Sequence, residues 1–190
     1  WTFRTVSQIL GRGAPALSTG SLFTKVRMGL GKTVQVLALL SGNNGLGKEE
    51  YKHQTALIVI PRSLVFNWER EAKQFSPHLK VLVNTGLSRA KNVKEFIGYD
   101  IILMTYGTVR QDITFLKNIE FDYVILDESQ AIKNSKTTTA KSVRLLKGRN
   151  RLALSGTPVE NHLGELWSLF EFLNPGMLGS IKSFNSNMVY

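Results

Sequence analysis

Short apolar runs alternate with one-sided apolar stripes along this 190-residue chain. The runs are rich in β-branched residues and predict buried strands at residues 55–60, 80–83, 101–105, 123–126 and 151–154. The stripes have helical spacing and predict helices at residues 34–40, 63–75, 88–97, 108–116, 135–147 and 163–173. This alternation predicts an α/β fold in three layers, α/β/α, with a mainly parallel sheet covered on both faces.

Local signals sharpen two of these boundaries. Ser63 is predicted to cap the helix that follows it, and Pro77 to stop that helix. The segment 42–47, GNNGLG, is predicted to be a loop after the first helix.

The apolar run Tyr123–Leu126 is followed at once by two carboxylates, Asp127 and Glu128. In open α/β sheets, ligands bind at the carboxyl ends of the strands. A pair of adjacent carboxylates at this position suits a magnesium nucleotide. The first would hold the metal, and the second would orient or deprotonate a water molecule.

A glycine-rich turn precedes the first predicted helix, with the residues Met28, Gly29, Leu30, Gly31, Lys32 and Thr33. Backbone amides of such a turn bind phosphate, Lys32 would reach the β- and γ-phosphates, and the Thr33 hydroxyl would ligate Mg²⁺. Val26 stands where the usual phosphate-loop spacing has a glycine. An ordinary glycine turn before a core helix is therefore the alternative, which the pairing with Asp127 and Glu128 disfavours.

A third candidate segment follows the last predicted strand, with the residues Ser155, Gly156 and Thr157. A Ser/Thr pair on a tight turn at a strand end can hydrogen-bond the water, the carboxylates or a neighbouring lobe. A plain turn would have the same sequence, so the interpretation depends on the two segments before it.

Charge and cysteine content add two expectations. The net charge is +10, and residues 1–48 and 129–159 carry six and seven basic residues with no acidic one. Basic clusters of this kind attract polyanions such as nucleic acid, although a solvated basic face is the alternative. The chain has no cysteine, which excludes disulfides and favours an intracellular protein. Its apolar runs are far shorter than the roughly 20 residues that span a bilayer, so no membrane partner is expected.

Five segments together resemble the SWI/SNF-type ATPases, double-stranded DNA translocases of helicase superfamily 2. They read MGLGKTVQ, LIVIPRSLVFNWEREAKQF, ILMTYGTVRQD, YVILDESQAIKN and RLALSGTPVENHLGELWSLFEFLNPGMLGS. The tail of the last segment, ENHLGELWSLFEFLNPGMLGS, is the most specific piece and disfavours an RNA helicase or a restriction motor. The DESQ-AIKN form is similar to prokaryotic members, which predicts the cytoplasm or nucleoid as the location; a eukaryotic source would predict the nucleus.

The resemblance implies that residues 28–180 form the N-terminal, RecA-like lobe of a two-lobed motor that uses ATP and Mg²⁺. It implies that Asp127 coordinates magnesium, that Glu128 positions the attacking water, and that Gln130 links them to the Ser155–Thr157 turn. It implies a DNA-backbone contact at two segments, Pro61, Arg62 and Ser63, and Thr105, Tyr106 and Gly107. The expected partners are double-stranded DNA, a second lobe after residues 181–190, and a protein substrate on DNA.

Residues 1–27 depart from the family pattern. Relatives have Ala-Asp-Asp or Ala-Asp-Glu just before the glycine-rich turn, where this chain has Lys25, Val26 and Arg27. We therefore interpret residues 1–27 as a divergent or non-family segment. This departure motivates an alternative function, a catalytically silent nucleic-acid-binding or interaction module that keeps the fold.

Overall fold

The fold is that of a computed structural model that describes residues 4–5, 21–25, 31–43, 55–156 and 163–187. The strands within these ranges are β1 Arg4–Thr5, β2 Ser21–Lys25, β3 Ala56–Ile60, β4 Val81–Val83, β5 Ile101–Thr105, β6 Glu120–Leu126 and β7 Lys147–Ser155. The α-helices are α1 Lys32–Asn43, α2 Val65–Phe75, α3 Tyr106–Leu116, α4 Thr138–Arg144, α5 Leu163–Leu173 and α6 Ile181–Asn187. No helix in these ranges is long and apolar enough to cross a lipid bilayer.

The strands that the structure describes form one sheet in the order β1-β2-β7-β6-β3-β5-β4. Only the two-residue β1 is antiparallel to its neighbour, and the other pairings are parallel. The predicted α/β fold with a mainly parallel sheet is therefore confirmed.

Alternate residues of the central strands pack on opposite faces of the sheet. Leu57 and Val59 face a core shared with α3, α4 and α5, whereas Ile58 and Ile60 face a core shared with α1 and α2. Both faces are covered, which is why strands such as β3 are apolar at every position and fully buried. The result is the predicted three-layer α/β/α arrangement.

The parallel register brings several strand ends to one edge of the sheet. Leu126 pairs with Val59 and with Ala153, so β6 ends beside β3 and β7. Ile60 pairs with Thr105 at the end of β5. Lys25 likewise pairs with Ser155, so β2 ends at the same edge just before the glycine-rich turn.

Two of the local predictions are wrong. Ser63 does not cap the helix, because it lies inside a 3₁₀ turn, Arg62–Leu64, and α2 begins at Val65 with no side-chain cap. The first helix continues into the predicted loop and ends at Asn43; the rest of that loop, residues 44–47, lies outside the described residues.

The predicted helix at residues 88–97 is also wrong, since only the 3₁₀ turn Val93–Phe96 forms there. Polar side chains hold the backbone in another conformation. The Asn84 amide binds both backbone groups of Ala90, and Asn92 caps the short turn through Lys94. Such side-chain bonds compete with helical ones.

The predicted helix at residues 135–147 is shorter than expected and covers Thr138–Arg144. Thr137 caps it by accepting a hydrogen bond from the backbone N–H of Ala140. Lys147 already begins β7, so that strand is longer than the predicted 151–154.

Candidate nucleotide site and adjoining groove

The two adjacent carboxylates lie where the sequence predicts them, directly after β6. Asp127 is almost completely buried, with an exposed fraction of 3%. Glu128 has a left-handed backbone conformation, with φ 50° and ψ 56°. A non-glycine residue seldom adopts this conformation. The backbone N–H of Glu128 donates to Asp127 Oδ1 at 2.9 Å, which fixes the turn between the two residues.

Lys32 reaches both carboxylates from the first residue of α1. Its Nζ atom lies 2.6 Å from Glu128 Oε1 and 3.7 Å from Asp127 Oδ1. The residues are 96 positions apart in sequence for the closer pair, so the fold alone brings them together.

A chain of hydrogen bonds runs from Glu128 to the end of β7. Gln130 Nε2 donates to Glu128 Oε2 at 2.6 Å, and Ser155 Oγ donates to Gln130 Oε1 at 3.3 Å. The structure thus brings Gln130 and Ser155 together, and a coupling role for the Ser155–Thr157 turn stays a prediction. The backbone of Gly156 also hydrogen-bonds Glu128.

Glu128 is held in its charged form. Partial burial opposes the charge, but hydrogen bonds from Lys32 and Gln130 outweigh it and lower the pKa of this carboxyl below its ordinary value. Both carboxylate oxygens are engaged, one by each of these residues. Glu128 is thus an ionised acceptor at neutral pH.

Two aromatic side chains from the two faces of the sheet hold Asp127. The indole Nε1 of Trp68 donates to Asp127 Oδ2 at 2.9 Å, and the Tyr106 hydroxyl donates to the backbone carbonyl of Asp127 at 2.8 Å. The sequence identified Trp68 only as part of an apolar stripe. The indole nitrogen of Trp68 was the one feature of the sequence that pointed to a polar partner, because a buried indole N–H needs an acceptor.

The glycine-rich turn is described from Gly31 onward. Gly31 has φ +70°, a conformation that favours glycine, and its carbonyl accepts a hydrogen bond from Gln35 N in α1. Thr33 follows Lys32 in the first turn of that helix. Met28, Gly29, Leu30 and Thr157 lie outside the described residues.

The two segments predicted to contact DNA lie on one groove. The groove has a volume of about 840 Å³, and Pro61, Arg62, Thr105, Tyr106 and Gly107 line it. Arg62 and Gly107 are exposed, as is Ser63, which does not line the groove itself. Two segments 44 residues apart at Pro61 and Thr105 thus present one continuous surface.

Tyr106 differs from the prediction in one respect. Its phenol is buried and donates to the backbone carbonyl of Asp127, so this side chain does not face the groove. Contact with DNA through the backbone at this position stays a prediction. Thr105 caps α3 by accepting from Thr108 N at 3.1 Å.

The third wall of the groove is a loop held by an ion pair. Arg89 binds both carboxylate oxygens of Asp112 in α3, at 2.5 and 2.8 Å. It also donates to the carbonyl of Gly86, whose φ of +83° favours glycine. These bonds fix the loop that carries the exposed Leu87 beside the two predicted segments.

The site offers oxygen ligands and one ammonium group. In the described ranges, no group of three or more His, Cys, Asp or Glu residues could hold a metal ion by itself. The oxygen ligands that the sequence predicts for Mg²⁺ are the buried carboxylate of Asp127 and the hydroxyl of Thr33, and binding of the ion there stays a prediction.

Comparison with known proteins adds family information to this geometry. The family model of the SNF2-related domain matches residues 22–190. The TATA-binding protein-associated factor MOT1 of Saccharomyces cerevisiae is 40% identical over 167 residues, which cover 83% of this chain and 9% of MOT1. The uncharacterized ATP-dependent helicase MG018 of Mycoplasma genitalium is 39% identical over 159 residues, or 83% of this chain and 15% of MG018.

Solved structures agree with these matches. The Sulfolobus solfataricus SWI2/SNF2 ATPase core in complex with dsDNA has a TM-score of 0.77 and 41% sequence identity, covering 89% of this chain and 34% of that one. The Sulfolobus solfataricus SWI2/SNF2 ATPase core domain has a TM-score of 0.71 and 41% sequence identity, covering 88% of this chain and 33% of that one. This chain therefore spans about a third of those cores and a smaller share of the full-length relatives.

Proposed function

This chain belongs to the SNF2-related domain family, and from that membership we propose that it is the ATP-binding lobe of an ATP-dependent motor that moves along double-stranded DNA. The observation that carries the proposal is the contact of Lys32 with Asp127 and Glu128. Lys32 is the first residue of α1, which follows the glycine-rich turn. Asp127 and Glu128 directly follow β6, at the same edge of the sheet. Together they have the composition of a nucleotide hydrolysis site.

Lys32 is the group that would bind the phosphates of ATP. In the structure its ammonium group is paired with Glu128 Oε1. The β- and γ-phosphates carry more negative charge than one carboxylate, so a bound nucleotide would compete for this ammonium. Movement of Lys32 onto the phosphates would release Glu128 Oε1 for a water molecule.

Mg²⁺ fits the donor set of this site. Thr33 and Asp127 are the residues that would hold it, a hydroxyl and a buried carboxylate, both hard oxygen ligands. When bound, the ion would neutralise charge on the phosphate oxygens. The hydrogen bond from Trp68 leaves the Asp127 carboxylate oriented before any ion arrives.

Glu128 is the residue that would position the attacking water. Its lowered pKa keeps it ionised at neutral pH, so it can accept a proton or a hydrogen bond from water. Gln130 holds its second oxygen, and Ser155 holds Gln130. Through these two hydrogen bonds, a change in the position of the Glu128 carboxylate would shift the end of β7. This supports a coupling role for Ser155, Gly156 and Thr157.

Double-stranded DNA is the proposed track. The groove beside the site presents exposed backbone and the cation of Arg62, which suits phosphate contacts that position a duplex without reading its sequence. The Sulfolobus relative is described in complex with dsDNA. A protein bound to DNA is a further expected substrate, since MOT1 is named as a TATA-binding protein-associated factor.

A second RecA-like lobe is required for full activity. In-line attack on the γ-phosphate needs positive charge at the transition state in addition to positioning and Mg²⁺. Lys32 is the cation that the described part of the chain brings to the carboxylates. An arginine from a second lobe, in the remaining two thirds of a core such as the Sulfolobus one, would complete the site.

The test is ATP hydrolysis by the complete protein with duplex DNA, single-stranded RNA or no nucleic acid. We expect duplex DNA to raise turnover and RNA to leave it near the basal rate. Stimulation by RNA alone would indicate an RNA helicase instead. Failure to bind ATP in the presence of Mg²⁺ would indicate the silent binding module.

A further inference from the structure

Two hydrogen bonds join Asp127 to α2, which follows one of the proposed DNA-contacting segments, and to α3, which begins within the other. We infer that Trp68 and Tyr106 are positioning residues that transmit duplex DNA binding from the groove to the peptide between Asp127 and Glu128. The inference rests on the proposed function, because it assumes that the groove binds DNA and that Asp127 and Glu128 serve ATP. It assigns the route by which one site would affect the other.

Trp68 makes the first connection. It lies on α2, which continues directly from the 3₁₀ turn Arg62–Leu64 at the groove. Its side chain is 1% exposed and packs between α1, α2 and the sheet. Its indole N–H donates to Asp127 Oδ2 at 2.9 Å. Because the tightly packed indole cannot move independently, a shift of this helix on DNA binding would be carried to the carboxylate.

Tyr106 makes the second connection. It stands between Thr105 and Gly107 at the start of α3, so its backbone lies on the groove and its phenol points inward. The hydroxyl donates to the Asp127 carbonyl at 2.8 Å. The phenol is buried, so this hydrogen bond is shielded from solvent.

Both connections act on the same peptide unit. The carbonyl of Asp127 belongs to the peptide that joins it to Glu128, and Tyr106 holds that oxygen. The N–H of the same peptide donates to Asp127 Oδ1, and Trp68 holds the other oxygen of that carboxylate. The peptide is thus restrained at both polar ends, next to a residue in the left-handed conformation. A small rotation of this peptide would reorient Glu128.

The experiment measures thermodynamic coupling in the complete protein. The dissociation constant of a non-hydrolysable ATP analogue with Mg²⁺ is determined without and with saturating duplex DNA, and the ratio is the coupling factor. By linkage, the analogue must change the affinity for DNA by the same factor, which provides an internal check. DNA-stimulated turnover is measured in parallel.

The variants are Trp68→Phe and Tyr106→Phe, which keep an aromatic ring and remove one donor each. The matched controls are Trp167→Phe, whose indole N–H donates to Gly179 O at 3.0 Å, and Tyr99→Phe, before β5 at the opposite edge of the sheet. We expect a wild-type coupling factor of about tenfold. Each test variant should lower it by about three- to fivefold, the effect of one hydrogen bond, and each control should leave it unchanged.

A purely structural role would give a different result. Loss of general stability would lower analogue affinity equally with and without DNA and leave the ratio unchanged. Wild-type coupling factors in both test variants would overturn the inference. A coupling factor of one in the unsubstituted protein, with no DNA-stimulated turnover, would instead reject the proposed function and the inference with it.

Discussion

Glu128 combines an uncommon backbone conformation with full engagement of its carboxylate. Its φ of 50° is a conformation that costs free energy for a residue with a side chain. Lys32 and Gln130 occupy its two oxygens at 2.6 Å each. The structure thus holds a strained residue in one orientation through two bonds that a nucleotide could exchange. Such strain is typical of groups that must be positioned for a reaction.

The first prediction concerns the two charged partners at the centre of the site. In the complete protein, Lys32→Ala and Glu128→Gln should each lower ATP turnover by at least about 100-fold, because one loses the phosphate cation and the other the water acceptor. Steady-state ATPase assays measure this. Lys73→Ala is the control, since Lys73 forms only an exposed pair with Glu69 and should keep turnover unchanged. Normal turnover of either site variant would remove the site assignment.

The second prediction concerns pH. The pKa of Glu128 is lowered in the folded chain, so its interactions stabilise the fold fully above the ordinary value of 4.5. This contribution is lost as the pH falls through the lowered folded value. The difference in unfolding free energy between wild type and Glu128→Gln should therefore shrink on acidification. Urea unfolding from pH 7 downward measures it, because other carboxylates titrate in both proteins and cancel.

A difference that stays constant with pH would contradict this assignment. It would mean that the pairing of Glu128 with Lys32 and Gln130 does not favour the ionised form of the carboxyl. Lys32→Ala offers a second check, since it removes the ammonium and should raise the pKa of Glu128.

The carboxylates and the lysine were predictable from the sequence, whereas the partners of Asp127 were not. Asp127, Glu128 and Lys32 stand in short motifs whose chemistry is determined by residues adjacent in sequence. The bonds from Trp68 and Tyr106 join residues 59 and 21 positions apart, and only the packed fold brings them together. The inward direction of the Tyr106 side chain was not predictable either, because the segment that carries it lines the groove.

At the scale of elements, the buried strands were predictable because a short run that is apolar at every position fits a strand covered on both faces of a sheet. The failure at residues 88–97 has a specific cause. The backbone there is bound by the side chain of Asn84, six residues before Ala90, and the loop is fixed by the pairing of Arg89 with Asp112 in α3, 23 residues away. Helical spacing of apolar residues does not report such competition. The length of β7 was missed because its polar first half lies beside the polar start of β6.

The third prediction tests the sheet that supports the site. A Cβ atom at Gly148 in β7 would lie 2.7 Å from Val124 Cγ2 and 3.2 Å from Asn150 O. Val124 is fully buried and β-branched, so it cannot rotate away. Gly148→Ala should therefore lower the free energy of unfolding by about 1–3 kcal/mol, measured by urea denaturation.

Gly164→Ala is the matched control for this substitution. A Cβ at Gly164 in α5 would meet nothing within 4 Å, and alanine favours a helix, so stability should rise by about 0.5–1 kcal/mol. Equal effects of the two substitutions would mean that β6 and β7 are not packed as closely as the structure has them.

At the scale of the whole molecule, the chain spans about a third of the Sulfolobus cores. Positive charge is concentrated at residues 1–48, which include Lys32 and Thr33, and at residues 129–159, which directly follow Asp127 and Glu128. This charge suits a polyanionic track and substrate, while the arginine expected for the transition state would come from a second lobe.

The fourth prediction follows from that division. The isolated chain should bind Mg²⁺-ATP, because Lys32, Thr33 and Asp127 are all present. It should hydrolyse ATP poorly, because the transition-state cation of the second lobe is lacking. Nucleotide titration and a turnover assay measure both properties. DNA-stimulated turnover by the isolated chain comparable to that of a two-lobed relative would contradict the prediction.

The central claim, that ATP hydrolysis at this site drives movement along duplex DNA, is tested most directly by triplex displacement. The complete protein is placed on a duplex that carries a bound third strand, and release of that strand is followed over time. We predict release with Mg²⁺-ATP for the wild type and none above the ATP-free rate for Glu128→Gln. ATP hydrolysis without any release, or equal release by the two proteins, would contradict the account.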